Sequence, residues 1–460
     1  MAAEMLGNPL LSRRYKTWLV AVLLLVSTLN FADRAILAVL AQPIKEDLKL
    51  TDANLGMLQG LAFAILYSIL GLPIGWLAER FSRKGLIAIC LAAWSIMTMG
   101  CGFATNFATM MLGRVGVGIG EAGFLPPASS LVADHFQPNR RGSVMAIIML
   151  GAPFGYLVGQ AAGGWIASEW NWRVAFFALG VPGLVAALIT WLTLREPPRG
   201  LADGHVSSTA APSLKAAFLG LWSNRSFRHL MLAYIVVSFA MNAVANFILP
   251  FYLRGFGLSL AVAGATFGAV AFSSNALGML LGGFGFDRLS RRDARWSLWG
   301  PAAMVCVAAP LYLLAFVSTR VWISMAFVWF ANLTLGSHLA PTLATMQNLT
   351  GPRMRALSLA VATLAMGLLG AGLGPMLLGM ASDYFAGHAF AAGDFLASCP
   401  GGRAAGGAAA LDAACRLASS QGLRLALMSV LVFFPWAALH YMLAAENLKR
   451  DLYTPDPQTC

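Results

Sequence analysis

The sequence predicts an all-α, polytopic membrane protein: twelve transmembrane helices in two pseudo-symmetric six-helix halves. Three observations carry that expectation. The composition is too apolar for water, the apolar residues fall in blocks long enough to cross a bilayer, and a charged motif occurs twice. Of the 460 residues, 58% are hydrophobic and only 11% charged, where a soluble domain carries about 25% charge. Mean hydropathy is +0.71.

A span needs roughly 20 apolar residues to cover about 30 Å of hydrocarbon. Blocks of that kind lie at 18–40, 52–78, 85–104, 106–133, 141–167, 173–194, 229–253, 259–286, 296–317, 321–348, 355–382 and 423–445. They divide the chain into a first half at 1–195, a connecting segment at 196–228 and a second half at 229–460. The connection starts polar and turns partly amphipathic (Leu214, Phe218, Leu221, Trp222), the pattern of a cytoplasmic linker with a short interfacial helix. The last outside loop, 385–421, is rich in Ala and Gly, and is expected to be loosely ordered.

The net charge of +12 follows topology rather than nucleic acid. With the N-terminus placed inside, 21 Lys and Arg fall in inside segments and 8 outside, while Arg34 and Arg114 lie within spans. This bias puts both termini in the cytoplasm and requires an even number of spans. The first block is longer than a signal peptide's and carries Asp33 and Arg34 where a cleavage site would need small residues. Short loops point to a bacterial inner membrane.

Cysteine and histidine spacing offers no metal site, and no phosphate-binding Gly-rich loop is present, so neither a cofactor nor direct ATP use is expected. Scattered histidines also argue against an intramembrane enzyme. Cys90, Cys101 and Cys306 fall in spans and read as packing residues. Cys399 and Cys415 share the last outside loop, where an oxidising compartment could join them; spacing alone leaves that open.

The repeat is in register. Gly75–Lys84 aligns without gaps on Gly283–Arg292, 208 residues on, and each copy joins the second and third spans of its half. Pro127 and Pro341 are 214 residues apart, as are Arg141 and Arg355. Two halves therefore run parallel, related by an axis along the membrane normal, which places a solute site near the midplane.

The segment Gly75-Trp-Leu-Ala-Glu79-Arg80-Phe-Ser-Arg83-Lys84 resembles the loop signature of the major facilitator superfamily, with Glu79 and Ser82 replacing its usual Asp and Gly. Gly151-Ala-Pro153 with Gly155, Gly159, Gly163 and Gly164 resembles that superfamily's fifth-span signature. Asn30-Phe-Ala-Asp33-Arg34 in span 1 and Arg114-Val-Gly-Val-Gly-Ile-Gly-Glu121-Ala-Gly-Phe124 in span 4 resemble the Spinster-like lipid transporters; Phe31, Gly123 and Phe124 depart from their pattern. The span 1 motif is shared with organic-anion/proton symporters, so the span 4 motif decides. The resemblance implies an amphiphilic lipid as cargo, such as a lysophospholipid or a sphingoid-like molecule; the repeat implies a carrier working by alternating access, with linked proton movement, and a monomer is expected. The alternative is a proton-linked carrier of small organic anions or drug-like compounds.

Asp33, Arg34, Arg114 and Glu121 are ionisable groups within spans. Each costs a few kcal/mol there and must face the bundle interior and find partners. Arg114 and Glu121, seven residues apart, share a face of span 4 and read as a pair; Asp33 and Arg34 diverge by about 100°. As function, Asp33 and Glu121 are proton-accepting carboxylates, with Arg34 and Arg114 as charge partners or headgroup anchors. As architecture, the four merely orient spans 1 and 4. The equivalents of Arg114 and Glu121 in the second half are Val328 and Leu335, and that one-sidedness favours function.

Gly75, Glu79, Arg80, Arg83, Lys84, Asp287 and Arg288 form the repeated loop, expected to anchor the inside face and latch one conformation. Possible cavity-lining residues are Asn30, Tyr67, Phe124, Tyr156 and Gln160 in the first half. In the second half they are Asn242, Asn246, Asn275, Asn332 and His338; an Asn in a span usually makes an interhelical hydrogen bond, and a lone His is usually a satisfied core residue. A charged half opposite an apolar one suits an amphiphile better than a sugar.

Overall fold

The computed structural model describes residues 12–198, 221–350, 354–404 and 408–452, and these are helices joined by short connections. Twelve membrane elements follow in order. Helices α1 (Arg13–Asp47), α2 (residues 52–80), α3 (Arg83–Cys101) and α4 (Phe107–Glu121, then Leu125–His135) open the chain. They are followed by α5 (Pro138–Met149, then Gly151–Glu169), α6 (Trp172–Thr193), α7 (Arg225–Phe256) and α8 (Leu260–Ser290). The last are α9 (Trp296–Val317), α10 (Val321–Gly336, then Leu339–Asn348), α11 (residues 355–389) and α12 (residues 409–451). A helix start leaves backbone N–H groups without partners. Here a side-chain oxygen accepts from one of them at Ser12, Thr51, Ser82, Asn106, Asn171 and Asn224.

Eleven helices among the described residues are long and apolar enough to cross a membrane. The element missing from that set is α4, expected as one span at 106–133. It is interrupted at Ala122–Phe124, which contains Gly123, after the glycines at 118 and 120 and before Pro126 and Pro127. Proline brings no N–H to the ladder, and it favours the first turn of a new helix. Helix α10 is interrupted at Ser337–His338, just before Pro341, the proline 214 residues after Pro127. π-Helical turns interrupt α2 at Met57–Leu61 and α11 at Met366–Gly372.

The chain divides into two compact units. The first comprises Met1–Leu48, Ala62–Thr209 and Leu258–Gly268; the second, Lys49–Leu61, Ala210–Gly257 and Ala269–Cys460. In the first unit the glycine stripe of α5 lies on α1. A Cβ on Gly155 would meet Ala32 N at 2.8 Å, and one on Gly159 would meet Ala32 Cα at 2.8 Å. Small residues permit this close approach in lipid, where burial of apolar surface gives no drive. The core beneath it joins Leu19, Val26, Trp94, Val117, Leu131 and Ile148.

Two expectations need correction or restriction. The segment 385–421 is ordered where it is described: Phe395–Ser398 is a short helix capped by Asp394, and α12 begins at Ala409, well before the apolar block at 423. Alanine-rich sequence favours helix once tertiary contacts nucleate it. Here those contacts are the Cys399–Cys415 disulfide, an Asp412–Arg416 ion pair one turn apart, and a small core of Phe390, Phe395 and Ala418. In the connecting segment, Leu221 and Trp222 are helical; Leu214 and Phe218 lie outside the described residues.

Candidate functional site

The four intramembrane charges come together in the first unit. Asp33, Arg114 and Glu121 are 4%, 2% and 1% exposed. Glu121, the last residue of the first α4 segment, accepts from Arg34 Nε at 2.7 Å. Asp33, one position earlier on α1, turns instead toward α3, where Thr98 Oγ1 donates to its Oδ2 at 2.6 Å. The divergence of neighbouring helical residues thus sends one side chain to α4 and the other to α3. Glu121 therefore takes its ion pair from Arg34 and not, as expected, from Arg114. Two turns along one helix separate backbone positions by about 10 Å, whereas α1 presents Arg34 directly across the packing contact.

Aromatic rings enclose the Arg34 guanidinium, which lies 5.1 Å from the Phe31 centroid, 4.4 Å from Phe63 and 4.6 Å from Tyr67. Phe63 and Tyr67 sit four residues apart on α2 and stack at 5.1 Å, as same-face helical neighbours do. Arg114 lies on the same Phe63 ring at 5.9 Å. Rings in that geometry attract cations without neutralising them. Several buried polar atoms meet no hydrogen-bond partner among the described residues: Asp33 Oδ1, Glu121 Oε1, Arg114 Nε and Nη1, and Asn30 Nδ2. Each carboxylate thus keeps one oxygen bonded and one open. Such a cluster can take up a proton or a polar group of a solute.

The remaining lining candidates separate. Tyr156 is partly exposed and packs on Phe31 at 6.0 Å. Gln160 is buried with its Oε1 unpartnered, while Phe124 belongs to the apolar core. In the second unit the polar side chains mostly bond back to their own helices. Asn242, Asn246 and Asn275 each donate to the carbonyl four residues earlier, at 2.8 Å. Asn332 accepts from Tyr312 at 2.6 Å, and His338 Nδ1 bonds the Leu335 carbonyl. These are the bonds that satisfy lone polar residues in apolar surroundings.

The first copy of the repeated loop builds a buried network. Arg83 donates to Asp134, to Glu196 at 2.6 Å, to Ser130 at 3.1 Å and to the Pro197 carbonyl at 2.8 Å. Ser82 and the Lys84 N–H donate to the other Glu196 oxygen. These described partners all belong to the first unit, so the network ties α3, α4 and the end of α6 together. Arg80 lies on Trp76 at 3.9 Å. Gly75 and Glu79 are helical, and the Glu79 side chain lies outside what is described. In the second copy, Asp287 and Arg288 are exposed. Sequence reading missed Thr98, Phe63, Asp134 and Glu196; only the Phe63–Tyr67 spacing carried a local signal.

Residues 23–375 match the family model of the Major Facilitator Superfamily. An MFS-type efflux pump of Mycolicibacterium smegmatis is 34% identical over 368 residues, 79% of this chain and 84% of that one. Protein spinster homolog 1 of Mus musculus is 29% identical over 400 residues, 81% and 74% of the two chains. The crystal structure of a bacterial homologue of the human lysosomal transporter Spinster, inward-facing and unoccupied, superposes with a TM-score of 0.89. It is 32% identical and covers 97% of this chain and 100% of its own. A nucleoside transporter at 14% identity and a TM-score of 0.68 shares the fold alone. These relatives make the chain an integral membrane transporter, a carrier rather than an enzyme. The chain belongs to the major facilitator superfamily and, within it, is of the Spinster type.

Proposed function

We propose that the chain is a proton-coupled secondary active transporter of amphiphilic lipids, with Asp33 and Glu121 as the proton-accepting groups and Arg34 and Arg114 as their charge partners. The observation that carries this reading is the Arg34–Glu121 pair beside buried Asp33 and Arg114, all within one unit. Protonating Glu121 removes half of an ion pair. A group whose protonation is favoured in one conformation biases the equilibrium between conformations, which is all that coupling requires. Arg34, held by rings as well as by Glu121, is a cation that an anionic headgroup can share. Unpartnered donors on Arg114 and Asn30 offer further contacts to such a headgroup. The sequence halves at 1–195 and 229–460 would act as the two rocking bodies of a monomer, with both termini in the cytoplasm of a bacterial inner membrane.

Flux in proteoliposomes under an imposed pH gradient tests the coupling. Glu121→Gln should insert and fold, yet lose gradient-driven flux while keeping exchange; full driven flux in that variant would overturn the reading. Mass spectrometry of compounds retained in mild detergent tests the cargo. A second reading is a proton-linked carrier of small organic anions or drug-like compounds; the efflux-pump relative supports export as its direction, and enrichment of such compounds over lipids would select it.

A further inference from the structure

We infer that Thr98 is the positioning residue of the proton site, fixing one oxygen of Asp33 and leaving the other to exchange the proton. The inference rests on the proton-coupled reading above. Thr98 and Asp33 are both buried, and the 2.6 Å bond from Thr98 Oγ1 to Asp33 Oδ2 joins α3 to α1 at the level of the charges. Oδ1 has no partner among the described residues, so the two oxygens differ. Oδ2 is tethered, and Oδ1 can turn to a proton carrier. A donor aimed at a carboxylate favours its charged form, because a hydrogen bond to a charged acceptor is about twice as strong as one to a neutral acceptor.

The surroundings of Asp33 are defined. Its own helix contributes Arg34, α3 contributes Cys101, and α4 contributes Arg114 and Glu121. From α2 and α5, Tyr67 and Tyr156 face Arg34. Helix α6 carries Arg173, which is committed to Asp47 at the far end of α1. Thr98 carries no charge and is the neutral side chain that donates a hydrogen bond to Asp33. Exchanging it leaves every charge in place and changes only the hydrogen bond.

Purified full-length protein in proteoliposomes, loaded with lysophospholipid as probe, would be assayed for gradient-driven flux across external pH. Thr98→Val removes the hydroxyl at nearly constant volume, and its profile should move to higher pH by about one unit. Thr98→Ser should restore the wild-type profile, which a purely packing role would not predict. If the valine variant does not insert, Thr98→Ala gives the same readout. A profile that does not move when the hydroxyl is removed, in a protein whose wild type shows driven flux, overturns the role of Thr98. Wild-type protein without driven flux overturns the proton-coupled reading and this inference with it. Infrared titration of the Asp33 carboxyl band in detergent, identified by its loss in Asp33→Asn, gives a transport-free check. The band should titrate about one pH unit higher in Thr98→Val, and an unchanged midpoint counts against the inference.

Discussion

Arg254 near the end of α7 grips Asp52 at the start of α2 with both terminal nitrogens, each 2.7 Å from a different carboxylate oxygen. Their side chains are 5% and 2% exposed. Ser382 donates to Asp52 at 2.7 Å, and the neighbouring Asp383 accepts from the N–H groups of Asp52 and Ala53. The first turn of α2 is thereby held inside the second unit by groups from α7 and α11.

Breaking a buried ion pair from one side strands the other charge, at a cost of about 3–5 kcal/mol. Arg254→Ala and Asp52→Ala should each lower the thermal midpoint in detergent substantially. The double variant should lose less than the two losses added together, since the residues share one interaction. Midpoints equal to wild type in either single variant would remove the pair from any stabilising role.

Because Arg34, not Arg114, is bonded to Glu121, the two arginines should differ in effect. Arg34→Ala should displace the pH profile of driven transport more than Arg114→Ala. Arg114→Ala should chiefly weaken substrate affinity through its lost donors. Equal displacements would mean that both cations act on Glu121 alike.

Glu196 gives stability its own pH dependence. Burial pushes its carboxyl up, but hydrogen bonds from Arg83, the Lys84 N–H and Ser82 outweigh that and hold it below its ordinary value of 4.5. A carboxylate depressed by folding contributes stability that is fully present above the unfolded value and is lost as pH falls through the folded one. Wild-type protein should therefore lose stability as pH drops below about 4.5. Glu196→Gln should be less stable at neutral pH and show a flatter acid limb, measured by thermal unfolding across pH. An unaltered acid limb would assign that loss to other carboxylates.

The Cys399–Cys415 bond closes a loop with a sequence separation of 16. A cross-link of that length stabilises by about 3 kcal/mol through the entropy of the open chain. Cys399→Ser should leave the membrane helices intact while exposing the segment around Phe395 to protease. Protection unchanged from wild type would show that the small core suffices alone.

Much of the fold was legible because lipid imposes a strong constraint: spans must be long, apolar and internally hydrogen-bonded. The loop signature at Gly75–Lys84 and the span 4 motif pointed to the family. The four charges were legible one by one, since an ionised group in hydrocarbon announces itself in sequence. Their partners were not. Whether Glu121 meets Arg114 or Arg34 depends on the rotation of α1 against α4, which no local pattern encodes. Thr98 and Asp134 were invisible for the same reason: a single polar residue acquires meaning only from the helix packed against it. The break in α4 was hidden by an unbroken apolar run, although its glycines and Pro126–Pro127 were on view.

That break has a counterpart in α10, at positions shifted by the distance from Pro127 to Pro341, yet only the break in α4 directly follows an acid. Leu335 occupies the place that Glu121 holds in the first half. The duplicated backbone therefore supplies a second, chemically silent socket. An engineer wishing to relocate the carboxylate, or to give the carrier two, would begin with Leu335 and a compensating cation on α7 rather than with a new scaffold.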